Sequence, residues 1–177
     1  MYYSEIKFCD IADGVGVRTT LFVSGCRNHC EGCFQPQTWS FDNGKPFTEE
    51  TQDRIIESMS PDYIAGLTLL GGEPFEEENQ AALLPFMKRF KAECPQKDVW
   101  AFTGYLLDDL LPGGRKHTEY TDGLLDTIDI LVDGPFILSK KNLMLRFRGS
   151  ENQRILNLRE TLKAKKAILW DGCEDRA

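Results

Sequence analysis

Three cysteines lie within eight residues of this sequence, and their type and spacing point to metal chemistry. Cys26, Cys30 and Cys33 follow the pattern Cys-x3-Cys-x2-Cys. Gly25 and Gly32 in the same loop permit backbone dihedral angles that let all three sulfurs face one centre. Thiolates are soft ligands that suit zinc, copper(I) or an iron–sulfur cluster. The spacing therefore predicts a metal centre ligated by these cysteines, and it favours an iron–sulfur cluster.

Two other uses of the cysteines are compatible with the sequence. A structural zinc site needs a fourth ligand, and the nearest candidate is His29, which directly precedes Cys30 and would join the same tetrahedron with difficulty. A redox pair of Cys30 and Cys33 would leave Cys26 without a role. A cubane cluster with three cysteine ligands keeps one iron open, and substrates bind metals at open coordination positions.

The other three cysteines, Cys9, Cys94 and Cys173, are scattered along the chain. Any of them could close the fourth position of the metal centre, but their isolation favours ordinary core or surface thiols. The chain begins without the basic and apolar regions of a secretory leader. We therefore expect a cytoplasmic protein whose six cysteines stay reduced rather than forming disulfides.

Length and charge narrow the class of protein further. The chain has 177 residues, which suits one domain, and no linker or repeat divides residues 1–177. No apolar stretch is long enough to span a bilayer. The net charge is −7, and an acidic chain lacks the basic surface typical of nucleic-acid-binding proteins. We therefore expect neither a membrane protein nor a nucleic-acid-binding protein.

Short apolar runs alternate with helical patterns along the chain. Pro85 should kink the second helix or reset its start. Alternating strands and helices predict an α/β fold with about six mostly parallel strands. The predicted strands are residues 18–23, 66–70, 98–102, 128–132, 143–147 and 167–170. The predicted helices begin after the N-cap Thr48 and at Glu76–Glu78, whose carboxylates we expect to be solvated, and shorter helical pieces cover 105–111 and 124–127.

Four of the predicted strands run directly into polar or glycine-rich loops. The loop after the first strand carries the cysteines, and the loop after the second carries Gly71, Gly72 and Glu73. The next two loops carry Thr103 and Asp133. Because ligands of parallel α/β folds bind at the carboxyl ends of strands, we expect these four loops to meet at one site.

The cysteine spacing, together with Gly71-Gly72-Glu73-Pro74 after a later strand, resembles the radical S-adenosylmethionine superfamily. The flanking sequence is similar to one of its families, the activating proteins of anaerobic ribonucleoside-triphosphate reductase. The resemblance covers roughly residues 11–158, and it assigns no role to 148–154 or to the tail 159–177. The similar runs are residues 13–26, 29–36, 38–39, 100–105, 131–136 and 148–154.

The resemblance implies a [4Fe-4S] cluster whose open iron binds the amino and carboxylate groups of S-adenosylmethionine. An electron from the reduced cluster splits the sulfonium, and the resulting 5′-deoxyadenosyl radical takes a hydrogen atom from a glycine of the large reductase. The electron would come from a low-potential donor such as a flavodoxin. In a chain this short, about six strands form an incomplete β/α barrel, whose lateral opening would admit a loop of the reductase.

The resemblance also implies how the chain binds S-adenosylmethionine at its ammonium group. Backbone carbonyls at Gly71 and Gly72 would approach the ammonium closely, because these residues have no Cβ. Glu73 would accept a charge-assisted hydrogen bond from the same group.

The adenosine part of the ligand would contact other loops. The backbone from Gly32 through Cys33 to Phe34 would bind the adenine edge by analogy. Many members of the superfamily have an aromatic residue where this chain has Gly32, so Phe34 could stack on adenine or could belong to the core. Asp133 would orient the ribose or a cation, or would only form a turn, and Thr103 is similarly undecided.

Other functions remain compatible with the motifs. The chain could activate another glycyl radical enzyme, act on a small molecule, or be a non-catalytic metal-binding module. Residues 139–166 contain nine basic and two acidic side chains, a local charge of +7 against −14 for the other residues. This segment could dock an acidic partner, either the reductase or the electron donor, or it could be a solvated face.

Overall fold

The computed structural model describes residues 1–172 and shows an α/β fold built on one open sheet of seven strands. Cys173, whose role we considered above, lies outside the described residues. The strands are β1 (Tyr2–Asp10), β2 (Val17–Val23), β3 (Lys45–Pro46), β4 (Ile64–Gly71), β5 (Asp98–Phe102), β6 (Ile130–Asp133) and β7 (Arg154–Asn157). Their order across the sheet is β3-β1-β2-β4-β5-β6-β7.

The strands are parallel only in the middle of the sheet. The pairs β2–β4, β4–β5 and β5–β6 are parallel, whereas β1, β3 and β7 each pair antiparallel with a neighbour. The α/β class is therefore confirmed, but the sheet is more mixed than the sequence predicted. It also does not close, because β3 and β7 are its two edges.

In the described part of the chain, five α-helices connect or follow the strands, and the predicted N-cap of the first is confirmed. The Thr48 hydroxyl accepts a hydrogen bond from the Thr51 N–H at 3.3 Å. Pro85 lies inside the second helix, which continues for eight residues beyond it. The helices are α1 (Glu49–Glu57), α2 (Glu77–Glu93), α3 (Leu107–Leu110), α4 (Thr121–Leu125) and α5 (Leu158–Ala164). No helix within residues 1–172 has the length and apolar character needed to cross a membrane.

The two faces of the sheet have different roles, because side chains alternate along each strand. One face carries the main core and packs against the helices; its strand residues include Leu21, Val23, Leu67, Leu69, Val99, Ala101 and Leu131. The other face carries a smaller cluster around Trp100, Ile130 and Val132, and its Phe22, Leu70 and Phe102 line a cavity. The cavity face is therefore available for binding.

Two predicted strands are wrong, and in both places a tertiary feature explains the error. Residues 143–147 belong to the long connection between β6 and β7, where Leu143 and Met144 are exposed. Residues 167–170 meet β7 through an isolated bridge at Leu169 and two backbone hydrogen bonds, but they do not form a strand. Trp170 N–H donates to the Ile155 carbonyl, and Asn157 N–H donates to the Ile168 carbonyl. The strand that pairs with β6 at this edge of the sheet is β7 instead.

Candidate metal and cofactor site

A cavity of about 540 Å³ lies on the free face of the sheet, at the carboxyl ends of β2, β4 and β5. Its wall includes all three clustered cysteines. Of the other predicted site residues, Phe34, Gly71, Gly72, Glu73 and Thr103 also line the cavity. Gly32 and Asp133 do not line it, although both belong to loops that border it. The loops after β2, β4 and β5 therefore meet at one cavity, as we expected, whereas Asp133 at the end of β6 does not reach it.

The cysteine loop is held by backbone hydrogen bonds to the segment that follows it. Gly25 N–H donates to the Thr38 carbonyl at 2.8 Å, and Cys26 N–H donates to the Trp39 carbonyl at 3.1 Å. Gly25 has a φ of +98°, and a Cβ there would lie only 2.3 Å from the Phe41 ring. Glycine is therefore required at the point where the chain leaves β2 and enters the loop.

Burial favours the protonated form of two of the three thiols when no metal is bound. Burial raises the pKa of Cys26 to about 12, and burial also raises the pKa of Cys30. A bound metal stabilises the thiolate and would release these protons on binding. The Gln35 N–H lies 3.4 Å from the Cys33 sulfur, which is the kind of hydrogen bond that tunes iron–sulfur centres.

The side chains of the described residues do not form a closed zinc site. Within residues 1–172, no three His, Cys, Asp or Glu side chains converge closely enough to hold a single metal ion. His29 instead stacks on Trp39, with ring centroids 4.5 Å apart. A soft set of three cysteines around a larger cavity fits a multinuclear cluster better than one four-coordinate ion.

Glu73 joins the loops around the cavity. Its side chain is buried and accepts four hydrogen bonds, which fills the usual capacity of a carboxylate. One oxygen accepts from Phe75 N–H at 3.0 Å and Thr103 hydroxyl at 2.8 Å, and the other accepts from Gly104 N–H at 2.7 Å and Asn28 amide at 3.1 Å. Burial raises the pKa of Glu73 to about 7, against the opposing effect of these hydrogen bonds. Glu73 therefore ties the cysteine loop to the loop after β5.

Gly71 and Gly72 are crowded by the chain itself. A Cβ at Gly71, whose φ is +110°, would lie 2.7 Å from backbone atoms of Phe22. A Cβ at Gly72 would lie 2.6 Å from the Gly25 carbonyl oxygen. The two glycines thus allow β4 to end directly against β2 and the start of the cysteine loop.

The unusual glycine at position 32 has a tertiary explanation. Gly32 has a φ of +70°, and a Cβ there would lie 2.8 Å from the Leu138 side chain. Leu138 belongs to the connection between β6 and β7 and occupies the space that a larger residue 32 would need. Phe34 is 60% exposed and lies 5.2 Å from Phe136 and 4.9 Å from the Lys141 ammonium, measured at ring centroids, so it is not a core residue.

Asp133 is fully buried and already has partners. It forms a two-pronged ion pair with Arg154, and it accepts a hydrogen bond from the Leu107 N–H at 2.8 Å. Gln153 accepts from Gly149 N–H at 2.8 Å and donates to the Gly134 carbonyl at 3.1 Å. The segment 148–154, which the sequence left without a role, therefore fastens the returning chain to the end of β6.

Glu76 is a functional neighbour that the sequence analysis missed. We expected it to be solvated, and this expectation is wrong, because only 1% of its surface is exposed. It accepts hydrogen bonds from Arg27 N–H at 3.0 Å, the Arg27 side chain at 2.8 Å and the Tyr105 hydroxyl at 2.8 Å. Arg27 follows Cys26 directly, so this network fixes the cysteine loop from outside the cavity. The sequence signal was a cation beside the first cysteine that needed an acidic partner.

Comparison with known proteins points to the same chemistry. A family model described as a 4Fe-4S single cluster domain matches residues 12–156. A protein of Salmonella typhimurium (strain LT2) named anaerobic ribonucleoside-triphosphate reductase-activating protein is 40% identical over 161 residues, which cover 90% of this chain and all of that protein.

Two further relatives carry the same name. The protein of Pasteurella multocida is 44% identical over 157 residues, covering 88% of this chain and 96% of the relative. The protein of enterobacteria phage T4 is 38% identical over 157 residues, covering 88% of this chain and 93% of the relative. The similarity therefore extends over almost the whole length of the relatives.

Proposed function

This chain belongs to the family of anaerobic ribonucleoside-triphosphate reductase-activating proteins, and on that premise we propose that it activates such a reductase by cleaving S-adenosylmethionine reductively. The observation that carries the proposal is the single cavity lined by the Cys26, Cys30 and Cys33 thiols and by the loop from Gly71 to Glu73. The shared cavity supports a role for the cysteine loop and the glycine-rich loop in the same reaction.

Cys26, Cys30 and Cys33 would hold the iron–sulfur cluster as thiolates and leave one iron without a protein ligand. When bound, the cluster supplies one electron that breaks a C–S bond of S-adenosylmethionine, giving methionine and a 5′-deoxyadenosyl radical that takes a hydrogen atom from a reductase glycine. The Gly25 turn and the Arg27–Glu76 contact would keep the three sulfurs in position. Burial of Cys26 would limit the access of water to the cluster.

The remaining loops would position S-adenosylmethionine. The carbonyls at Gly71 and Gly72 would accept from the ammonium group, and the backbone of Gly32–Phe34 would border the adenine. Glu73 would place these loops, because each of its four acceptor sites already receives a donor from the chain. To accept a further hydrogen bond from the ammonium group, Glu73 would have to use an acceptor site that already receives a donor.

Asp133 and Thr103 would act through other residues. Asp133 is committed to Arg154 and Leu107, so it would shape the loop near the ligand rather than contact the ribose directly. Thr103 donates to Glu73 and accepts from the Tyr105 N–H at 3.1 Å, which gives it the same supporting role.

The open sheet would serve as the wall of an incomplete barrel within a single domain, and its unclosed side would admit the reductase segment that carries the target glycine. A low-potential protein such as a flavodoxin would supply the electron. Both the cavity on the free face and the open edges at β3 and β7 support this arrangement.

Anaerobic purification and reconstitution test the proposal. The wild-type protein should contain about four irons and four sulfides per chain, as expected for one cubane cluster. Dithionite should drive the formation of 5′-deoxyadenosine. Cys26→Ala should lose both the cluster and the cleavage, whereas Cys9→Ala, at an exposed cysteine outside the cavity, should keep them.

Electron paramagnetic resonance then tests the target. A glycine-centred radical should appear on the reductase only when the activating protein, S-adenosylmethionine and a reductant are all present. A colourless, zinc-containing protein without cleavage activity would overturn the proposal in favour of a metal-binding module. Cleavage without a radical on the reductase would point to a different target.

A further inference from the structure

The connection between β6 and β7 forms part of the cavity wall. We call residues 138–148 the rim segment. Its Leu143, Leu145, Phe147 and Arg148 line the same cavity as the cysteine loop. Phe147 packs against Trp100 on the sheet, with ring centroids 5.3 Å apart, and Ile137 N–H donates to the Ser150 hydroxyl at 3.2 Å. The rim segment is therefore anchored at its base while its tip faces solvent.

The tip of the rim segment is unusually apolar for an exposed surface. Leu143 is 82% exposed and Met144 is 53% exposed. Across a second groove of about 230 Å³, they face Ile11, which is 73% exposed. Isolated exposed apolar residues are common, but a group of them around a concave opening is typical of a surface that binds another protein.

The rim segment is also purely basic. It contains Lys140, Lys141, Arg146 and Arg148 and no acidic residue, in a chain whose net charge is −7. Lys140 and Lys141 are exposed, and the Lys141 ammonium lies 4.9 Å from the centre of the Phe34 ring beside the third cysteine. Positive charge is thus concentrated at the opening of the cavity.

In the second half of the basic segment 139–166, two arginines form ion pairs within the fold. Arg154 is paired with Asp133, and Arg159 is paired with Asp129. The exposed Lys163 and Lys165 belong to the end of α5 and do not line the cavity. The fold therefore divides the basic segment into a part at the cavity opening and a part away from it.

We propose that the rim segment, together with Ile11, is the surface that docks the reductase, and that it binds an acidic and apolar stretch of polypeptide next to the target glycine. This inference rests on the proposed function. Hydrogen-atom transfer requires the glycine Cα to enter the cavity, so the residues beside it must cross the apolar rim. An electron donor has no such need, because an electron reaches the cluster without entry of the donor's chain.

The test measures binding of the anaerobically reconstituted protein to the intact reductase by sedimentation velocity and by surface plasmon resonance. Leu143→Asp and the double variant Lys140→Glu/Lys141→Glu should each weaken binding by about tenfold or more, since they place negative charge at the centre of a basic, apolar contact. The matched controls are Tyr63→Ser, at a 64% exposed aromatic outside the cavity lining, and Lys163→Glu/Lys165→Glu. Both controls should bind like the wild type.

A second measurement separates docking from chemistry. Dithionite-driven cleavage of S-adenosylmethionine without the reductase should stay within about twofold of wild type in Lys140→Glu, because Lys140 is exposed, does not line the cavity, and carries a charge that salt screens. Circular dichroism should show that Leu143→Asp and the double variant are folded, and their binding should also depend less on salt than that of the wild type.

Three outcomes would overturn the inference. The inference fails if Leu143→Asp and Lys140→Glu/Lys141→Glu both bind the reductase as tightly as the wild type. It also fails if the α5 control Lys163→Glu/Lys165→Glu loses as much affinity as the rim variants. A rim variant that binds the reductase normally but receives electrons slowly from flavodoxin would also overturn the inference, and would assign the rim to the electron donor. If the wild type binds the reductase but neither cleaves S-adenosylmethionine nor produces a glycyl radical, the proposed function fails while the docking result still stands.

Discussion

The two ends of the central strands each bury a charged side chain, and the two charges are stabilised in different ways. At the carboxyl ends, Glu73 accepts four hydrogen bonds, all from neutral donors. At the amino ends, the fully buried Arg18 donates to the Thr68 hydroxyl at 2.8 Å and the Leu67 carbonyl at 2.9 Å, and it forms an ion pair with Asp98.

This difference suits the carboxyl ends, with Glu73, to ligand binding and the amino ends, with Arg18, to stability of the fold. Arg18 has an opposite charge beside it and also lies over the Trp100 ring, 5.6 Å from its centroid. Glu73 receives hydrogen bonds from neutral donors only, and burial, together with repulsion from the nearby Glu76, raises its pKa to about 7. A buried carboxylate without a cation is stabilised further by a positively charged ligand, whereas the arginine already has its counter-ion. We therefore expect substitutions at the two ends to affect different properties.

The largest loss of stability is expected at the amino end. Arg18→Met leaves the Leu67 and Val15 carbonyls without their donor and should lower the free energy of unfolding by about 3 kcal/mol, near the lower limit for a broken buried ion pair, since Asp98 is half-exposed and can be rehydrated. Urea unfolding under anaerobic conditions measures this loss. The folded fraction should still cleave S-adenosylmethionine, and a loss of cleavage per folded molecule would remove the distinction between the two ends.

Substitution at the carboxyl end should cost less stability and more activity. In Glu73→Gln, an amide nitrogen replaces one of two oxygens that each receive two donors, so unfolding should become easier by about 1–3 kcal/mol. Cleavage of S-adenosylmethionine should fall by about 10–100-fold, as is typical when a residue that orients a metal site is changed.

The matched control for this substitution is Glu78→Gln. Glu78 is a half-exposed partner of Arg27 on the same side of the molecule, and exposed pairs contribute about 0–1 kcal/mol. Equal activity of Glu73→Gln and Glu78→Gln would show that the four hydrogen bonds on Glu73 do not organise the site.

The smallest effect concerns pH and belongs again to the amino end. Burial, together with a hydrogen bond and repulsion from Asp10, raises the pKa of Asp13 to about 7. A raised pKa means that the folded state keeps a proton that the unfolded state loses near pH 4. This contribution to stability is therefore complete below pH 4 and disappears as the pH rises through 7.

Asp13→Asn should remove that dependence. The variant should gain about 1 kcal/mol relative to wild type between pH 4 and pH 8, a small part of what the full shift would give, because the site is partly exposed to solvent. Thermal or urea unfolding of both proteins across this range gives the difference directly. A difference that stays constant with pH would show that Asp10 and Asp13 do not share a proton.

The local chemistry of the site was readable from the sequence because it depends on neighbouring residues. The spacing of the three cysteines and the glycines after β2 and β4 are set within a few positions, and the central strands β2, β4, β5 and β6 are short apolar runs. The first and third strands along the chain were not found, since β1 carries charged residues such as Glu5 and Lys7, and the edge strand β3 has only two residues.

The sequence by itself determined a thiolate-rich loop at the end of a parallel strand, and with it the α/β class and a cluster as the preferred metal centre. Only the tertiary structure decided that Glu73 is already saturated with donors, that Leu138 packs against Gly32, and that Asp133 is paired with Arg154. The physical reason is the separation along the sequence between the residues that interact. A loop's dihedral angles and ligands are encoded in consecutive residues, whereas these pairings join positions that become neighbours only when the sheet has assembled.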